Sequence, residues 1–312
     1  MKDKRFRIKE SEYFNAYRDK PVFGMTPKEI LEHKLCSLGF YFDENGFPVP
    51  EDMFCYSLSE IEEFADKKGK LDHDAINDPL AYYYACEEIK YEINAGHIQN
   101  GVKIISLDNT YIDYTVKIAP GAVIYPNTYL EGDTFISEAA VIGPDSRIVA
   151  SKIGKGSQVL KSIVLESVIG EESTVGPFSY IRPGSEVKNK VKIGDFVELK
   201  KAVIDDGTKI PHFVYAGDAS IGKACNISCG VITANYDGKA KYRTEIGDNV
   251  FVGCNSTLVA PVKLEDNTFV AAGSTIVEDV KSGNLAIARA YQVAKEGWVQ
   301  KTGRMKKPDS DK

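Results

Sequence analysis

Long hydrophobic runs are missing from this chain of 312 residues: nowhere do about 18 apolar residues follow one another, the length a membrane-crossing helix needs. The first ten residues, MKDKRFRIKE, have no apolar core of the kind a signal peptide carries. An excess of positive charge is also missing. Lys and Arg number 39 against 45 Asp and Glu, for a formal net charge of −6, so no general nucleic-acid surface is indicated. The six cysteines, Cys36, Cys55, Cys86, Cys225, Cys229 and Cys254, form no C-x-x-C pair, and with only four histidines they show no metal-ligand spacing. Scattered thiols fit a reducing compartment. These absences predict a cytoplasmic protein with no metal, no membrane and no nucleic acid among its partners.

What the chain has is a six-residue beat. An aliphatic residue recurs at Ile112, Ile118, Ile124, Leu130, Ile136, Ile142 and Ile148, and again at Ile246, Val252, Leu258, Leu264, Val270 and Ile276. Helices repeat apolar positions every three or four residues and half-buried strands every two, so neither explains the period. Short strands joined by tight corners and wound into a solenoid do. Three hexads make one triangular coil with the aliphatics stacked inward, and five-residue slips such as Ile148 to Ile153 shorten single faces. Glycines that follow many beats (Gly143, Gly154, Gly170, Gly176, Gly194, Gly222, Gly247, Gly253) are expected to supply the backbone angles of the corners.

The organisation read from this pattern has four parts. Residues 1–80 form a small, mostly helical region of unknown role, with helical stretches at Thr26–Leu38 and Ser57–Lys68 around the turn-rich run DENGFPVPED; it is expected to cap the open end of the solenoid. Residues 81–100 form a helical linker, residues 101–280 the solenoid, and residues 281–312 an arm with a basic tail.

A prism filled by Ile and Val leaves no internal room for a ligand, so chemistry belongs on its outside. The residues that break the beat without serving the core cluster between Gly176 and Lys241, in GPFSYIRPGSEV, DFVELKKA, IPHFVYAGDASIG and CNISCGVITANYDGKAKYRT. With LAIARAYQVAKEGW further on, these segments resemble the acetyltransferase half of the bacterial bifunctional enzymes that make UDP-N-acetylglucosamine, within the hexapeptide-repeat acyltransferases. The resemblance covers roughly two-thirds of the chain, from NGVKIISLDNTYID onward.

That resemblance implies a mainly β fold, a left-handed parallel β-helix, assembled as a homotrimer. It implies transfer of acetyl from acetyl-CoA, the co-substrate, to the amine of glucosamine-1-phosphate without a metal, in UDP-N-acetylglucosamine and cell-wall precursor synthesis. Arg182, Lys200, Tyr215, Asn226 and Lys241 match the sugar-phosphate contacts, and guanidinium and ammonium groups suit a phosphate dianion. His212 matches the general base, Asn235 and Tyr236 the residues that hold the acetyl group, and Cys229, Cys254, Ala272 and Arg289 further coenzyme A contacts. Asn235 and Tyr236 open a loop with a type I′-like turn expected at Asp237-Gly238. Cys254 stands where relatives commonly carry serine, and Cys229 where they carry alanine or glycine. About 100 residues precede the solenoid and hold no Gly-rich nucleotide loop, so uridyltransferase activity is not expected from this chain, and a separate nucleotidyltransferase is a possible partner. Two rival readings share these motifs: acetylation of another amino-sugar phosphate or nucleotide-linked amino sugar, and a non-catalytic scaffold for a nucleotidyltransferase.

Overall fold

The structure is a computed structural model that describes residues 79–304 and, upstream, two strands, Phe40–Phe42 and Pro48–Pro50, which pair antiparallel. The helical stretches expected at Thr26–Leu38 and Ser57–Lys68 lie outside the described residues. This antiparallel pair was not expected from the sequence; its second strand, Pro48–Pro50, falls within the run read as turn-rich.

Helix α1, Pro79–Gln99, leads into the solenoid and ends where Gly101 turns left-handed at φ 88°. Its buried side chains, Cys86, Ile89, Lys90 and Asn94, recur every three or four residues and so share one face. That face lies on the first coil. Asn94 donates through Nδ2 to the carbonyls of Leu107 (3.1 Å) and Thr110 (3.0 Å), and Lys90 Nζ reaches the Asp108 carbonyl at 3.1 Å. The helix thus pairs polar groups that the first coil would otherwise leave without partners.

The aliphatic beat becomes the inside of a triangular, parallel β-helix. Ile112, Ile124, Leu130, Ile136, Ile142 and Ile148 are fully buried, each worth roughly 1.5–3 kcal/mol on burial. Every coil crosses three sheets in turn. Face one has ten strands, from Thr110–Ile112 to Thr275–Ile276; face two has nine, from Lys117–Ile118 to Val262–Leu264; face three has eleven, from Lys103–Ile104 to Leu285–Ala286. Within each face every strand pairs in parallel with the strand one coil away, as Ile193 with Ile210 and Leu199 with Ala216. Small hydroxyls fill the inner corners: Ser151 Oγ accepts from the Ser167 amide at 3.0 Å, and Ser173 Oγ from the Val191 amide at 3.0 Å.

The glycines serve two purposes, only one of which was expected. Gly143 and Gly176 do take left-handed angles, φ 88° and 106°. Gly154 does not; a Cβ there would come within 2.5 Å of the Gly170 carbonyl on the next coil, so close backbone approach is what demands glycine. Many left-handed corners are instead held by other residues, including Phe178, Phe196 and Phe213.

Candidate active site

Two edges of face one collect the chemistry. The first edge is the corner where each coil passes from face three to face one. Strands Lys192–Asp195 and Lys209–His212 pair in register here, with Asp195 opposite His212, and the imidazole Nδ1 lies 2.6 Å from Asp195 Oδ1. This bond from His212 is the chief cause that holds the Asp195 carboxyl below the usual carboxylate range. A carboxylate on Nδ1 leaves Nε2 as the free acceptor of the ring, the arrangement a general base needs. His212 is exposed, so that nitrogen is open to a ligand.

The next coils continue the same edge. Asn226 pairs with Phe251 and Ile227 with Val252, which carries Cys229 into register with Cys254; both thiols are free and exposed. The Asn255 amide donates to the Cys229 carbonyl (2.8 Å), and the Gly273 amide to that of Cys254 (2.8 Å), so Ala272 is the next step. Arg289, after the last strand, donates through Nη1 to the Ala272 carbonyl at 2.8 Å. His212, Cys229, Cys254 and Ala272 therefore form one column, about 14 Å long at about 4.8 Å per coil.

The second edge lies where face one passes to face two, four or five residues further along each coil. Arg182 pairs with Glu198 (2.8 Å), and Lys200 with Asp218 (3.4 Å) in a half-buried setting. Asp218 also accepts from the buried Asn235 amide, so one carboxylate fixes two side chains. Lys241 shares this corner. Contact with Lys241, together with the charge of Asp218, holds the Lys200 ammonium above the ordinary lysine range, while Lys200 pushes Lys241 below it. The Tyr215 ring lies along the face over Gly217, where a Cβ would come within 2.6 Å of its Cζ, and this sends the phenol toward the same edge.

The loop after Asn235 is closed differently from the turn expected at Asp237-Gly238. Tyr236 bridges antiparallel to Lys241, the Asp237 amide donates to the Ala240 carbonyl, and Asp237 Oδ1 accepts from the amides of Lys239 (2.8 Å) and Ala240 (2.7 Å). Tyr236 Oη donates to the Gly238 carbonyl at 2.7 Å. Four residues, not two, make the turn, and Asp237 locks it.

The residues read from the sequence thus fall into separate groups. Arg182, Lys200, Tyr215, Lys241, Asn235 and Tyr236 gather at the second edge, and His212, Cys229, Cys254, Ala272 and Arg289 at the first. Asn226 stands apart, on a face-three strand. Within one chain Asn235 and Cys254 are a face-width apart. Asp195, Glu198 and Asp218 were given no role from the sequence. Their signal was the coil length: Asp195 precedes His212 by 17 residues and Asp218 precedes Asn235 by 17, one coil in each case. Among the described residues no cluster of His, Cys, Asp and Glu could hold a metal ion.

Residues 139–222 match the family described as GlmU-like, C-terminal hexapeptide, and residues 243–278 match the bacterial transferase hexapeptide (six repeats). A Bifunctional protein GlmU of Clostridium acetobutylicum is 43% identical over 89% of this chain and 67% of the relative. Proteins of the same name from Clostridium novyi (50% identical, 80% of this chain, 56% of the relative) and Clostridioides difficile (48%, 72% and 49%) also align. The chain spans between about half and two-thirds of the length of these relatives. Among solved structures, an Arabidopsis UDP-N-acetylglucosamine acyltransferase aligns at 15% identity over 56% of this chain and 70% of that one, with a TM-score of 0.34.

Proposed function

Because the chain belongs to the GlmU family, through its hexapeptide-repeat C-terminal part, we propose that it transfers acetyl from acetyl-CoA to the amine of glucosamine-1-phosphate, yielding N-acetylglucosamine-1-phosphate. The observation that carries the reading is the division of face one: an imidazole held by a carboxylate at one edge, and at the other three cations, Arg182 paired with Glu198 and Lys200 and Lys241 beside Asp218. Arg182, Lys200 and Lys241 receive the phosphate dianion, with the Tyr215 hydroxyl beside them. His212 Nε2 takes the proton that leaves the amine as it attacks the thioester carbonyl, and Asp195 stabilises the resulting imidazolium. The negative charge that develops on the carbonyl oxygen is met by the Asn235 amide and the Tyr236 backbone N–H. The Cys229–Cys254–Ala272 column takes the pantetheine arm, and Arg289 the phosphates of coenzyme A.

Two edges a face-width apart cannot both close on one thioester from a single chain. We infer a trimer in which the first edge of one chain meets the second edge of its neighbour. Exposed apolar side chains flank the first edge and suit such a contact: Tyr129, Ile163 and Ile232 on face one and Phe269 and Leu285 on face three.

The test is coenzyme A release from acetyl-CoA with glucosamine-1-phosphate, galactosamine-1-phosphate and glucosamine-6-phosphate compared. The reading requires the fastest release with the first. Release with none of them contradicts it, and a preference for another sugar phosphate replaces the substrate while keeping the chemistry.

A further inference from the structure

Cys229 and Cys254 occupy the same position on consecutive coils. Their strands pair in register two residues before, and the Asn255 amide binds the Cys229 carbonyl directly. In a parallel ladder this sets the two Cα atoms about 4.8 Å apart, inside the range of about 4.4–6.8 Å over which a disulfide can form. Both thiols are exposed on the same edge, and nothing in the acetyl-transfer scheme requires both to be cysteine. Each could be serine or alanine without harm to the fold, since neither is part of the core.

We propose that Cys229 and Cys254 form a reversible disulfide by exchange with a small-molecule disulfide, and that this bond closes the acyl-donor groove. Coenzyme A disulfide is the favoured oxidant. Its pantetheine end enters the same column as acetyl-CoA, and its sulfurs arrive where the thioester sulfur would lie. The Cys254 thiolate attacks one sulfur and expels coenzyme A thiolate, which leaves a mixed disulfide on Cys254. The Cys229 thiolate then attacks the Cys254 sulfur and expels the second coenzyme A thiolate. The two thiol protons end on the two coenzyme A molecules; the pair is oxidised and the small disulfide reduced. Side chains that stand parallel on neighbouring strands must lean together to bond, and an exposed, strained disulfide is the kind that thiols readily reduce. The linkage rests on the fold alone. Its effect on catalysis rests on the function proposed above.

The experiment uses the full chain, reduced, freed of reductant and exposed to coenzyme A disulfide or, separately, to oxidised glutathione. Peptide mapping by mass spectrometry reads the bond. A Cys229–Cys254 cross-link, formed faster with coenzyme A disulfide, slowed by acetyl-CoA and reversed by dithiothreitol, is the expected result. Coenzyme A release should fall at least tenfold in step with linkage and return on reduction. Cys229→Ser and Cys254→Ser, each compared with its own reduced activity, should show no linkage-dependent loss. If acetyl transfer is present but these two cysteines never link, the inference fails and the function stands. If they link in a protein that acetylates no sugar phosphate, the function fails and the disulfide stands. Linkage without loss of activity overturns the proposed closure of the groove.

Discussion

Asp195 and His212 are 17 residues apart in sequence and one coil apart in space, with 2.6 Å between Asp195 Oδ1 and His212 Nδ1. The bond spans neighbouring strands of face three at the point where both turn into face one, so the coil itself sets the orientation of the imidazole.

Asp195→Ala should lower kcat by about 10–100-fold while leaving the KM of both substrates near normal, because the ring loses the charge-assisted hydrogen bond that orients it. Asp195→Asn keeps an acceptor oxygen for Nδ1 and should lose less. Steady-state kinetics of the two variants check this; equal losses in both would show that the carboxylate charge, and not the orientation of the ring, matters.

Lys241 is pushed below the ordinary lysine range by Lys200, so with rising pH it loses its charge before its neighbour does. The KM for the sugar phosphate should therefore climb on the alkaline side while that for acetyl-CoA stays flat. Lys241→Arg, which stays charged, should move the rise to higher pH. The measurement is a pH series of both KM values.

Asp218 accepts from Lys200 and Asn235 together. Asp218→Ala should therefore weaken sugar-phosphate binding and acetyl transfer at once, by about tenfold or more each. Lys200→Ala should act on the sugar phosphate alone. Parallel kinetics of the two variants separate the shared role from the single one.

Gly194 precedes Asp195, and a Cβ on it would overlap the carbonyl of Pro211, the residue before His212. Gly194→Ala should lower the melting temperature and, in whatever folded protein remains, reduce kcat. Gly207→Ala, where a Cβ meets nothing and only the left-handed φ of 70° resists, should cost about 1 kcal/mol. Thermal unfolding followed by circular dichroism compares them.

The β-helix was legible because each buried aliphatic is repeated by the same geometry, coil after coil, and no other fold keeps that period. The roles of Asp195 and Asp218 were not read because they depend on coil length, and five-residue slips shorten these coils to 17 residues. Counting Ile193 to Ile210 would have found both. The resemblance assigns Asn235 to the acetyl group and Cys254 to coenzyme A, yet three-sided winding sends the two to opposite edges of face one. The upstream hairpin was hidden by Pro48 and Pro50, since proline argues against a strand unless it lies at an edge.

If edges from two chains form each site, an inactive His212→Ala protein and an inactive Asn235→Ala protein should regain activity when dissociated and reassembled together. Mixed trimers then contain sites with both groups intact. No recovery after verified exchange of chains would place the whole site within one chain.

The most direct test of the account compares N-acetylglucosamine-1-phosphate formation by the native chain and by His212→Ala at saturating acetyl-CoA and glucosamine-1-phosphate, with matched circular dichroism. A positioned general base contributes on the order of 10²–10⁴ in rate, and a loss of that size is expected. A folded variant that forms the product within a few-fold of the native rate would contradict it.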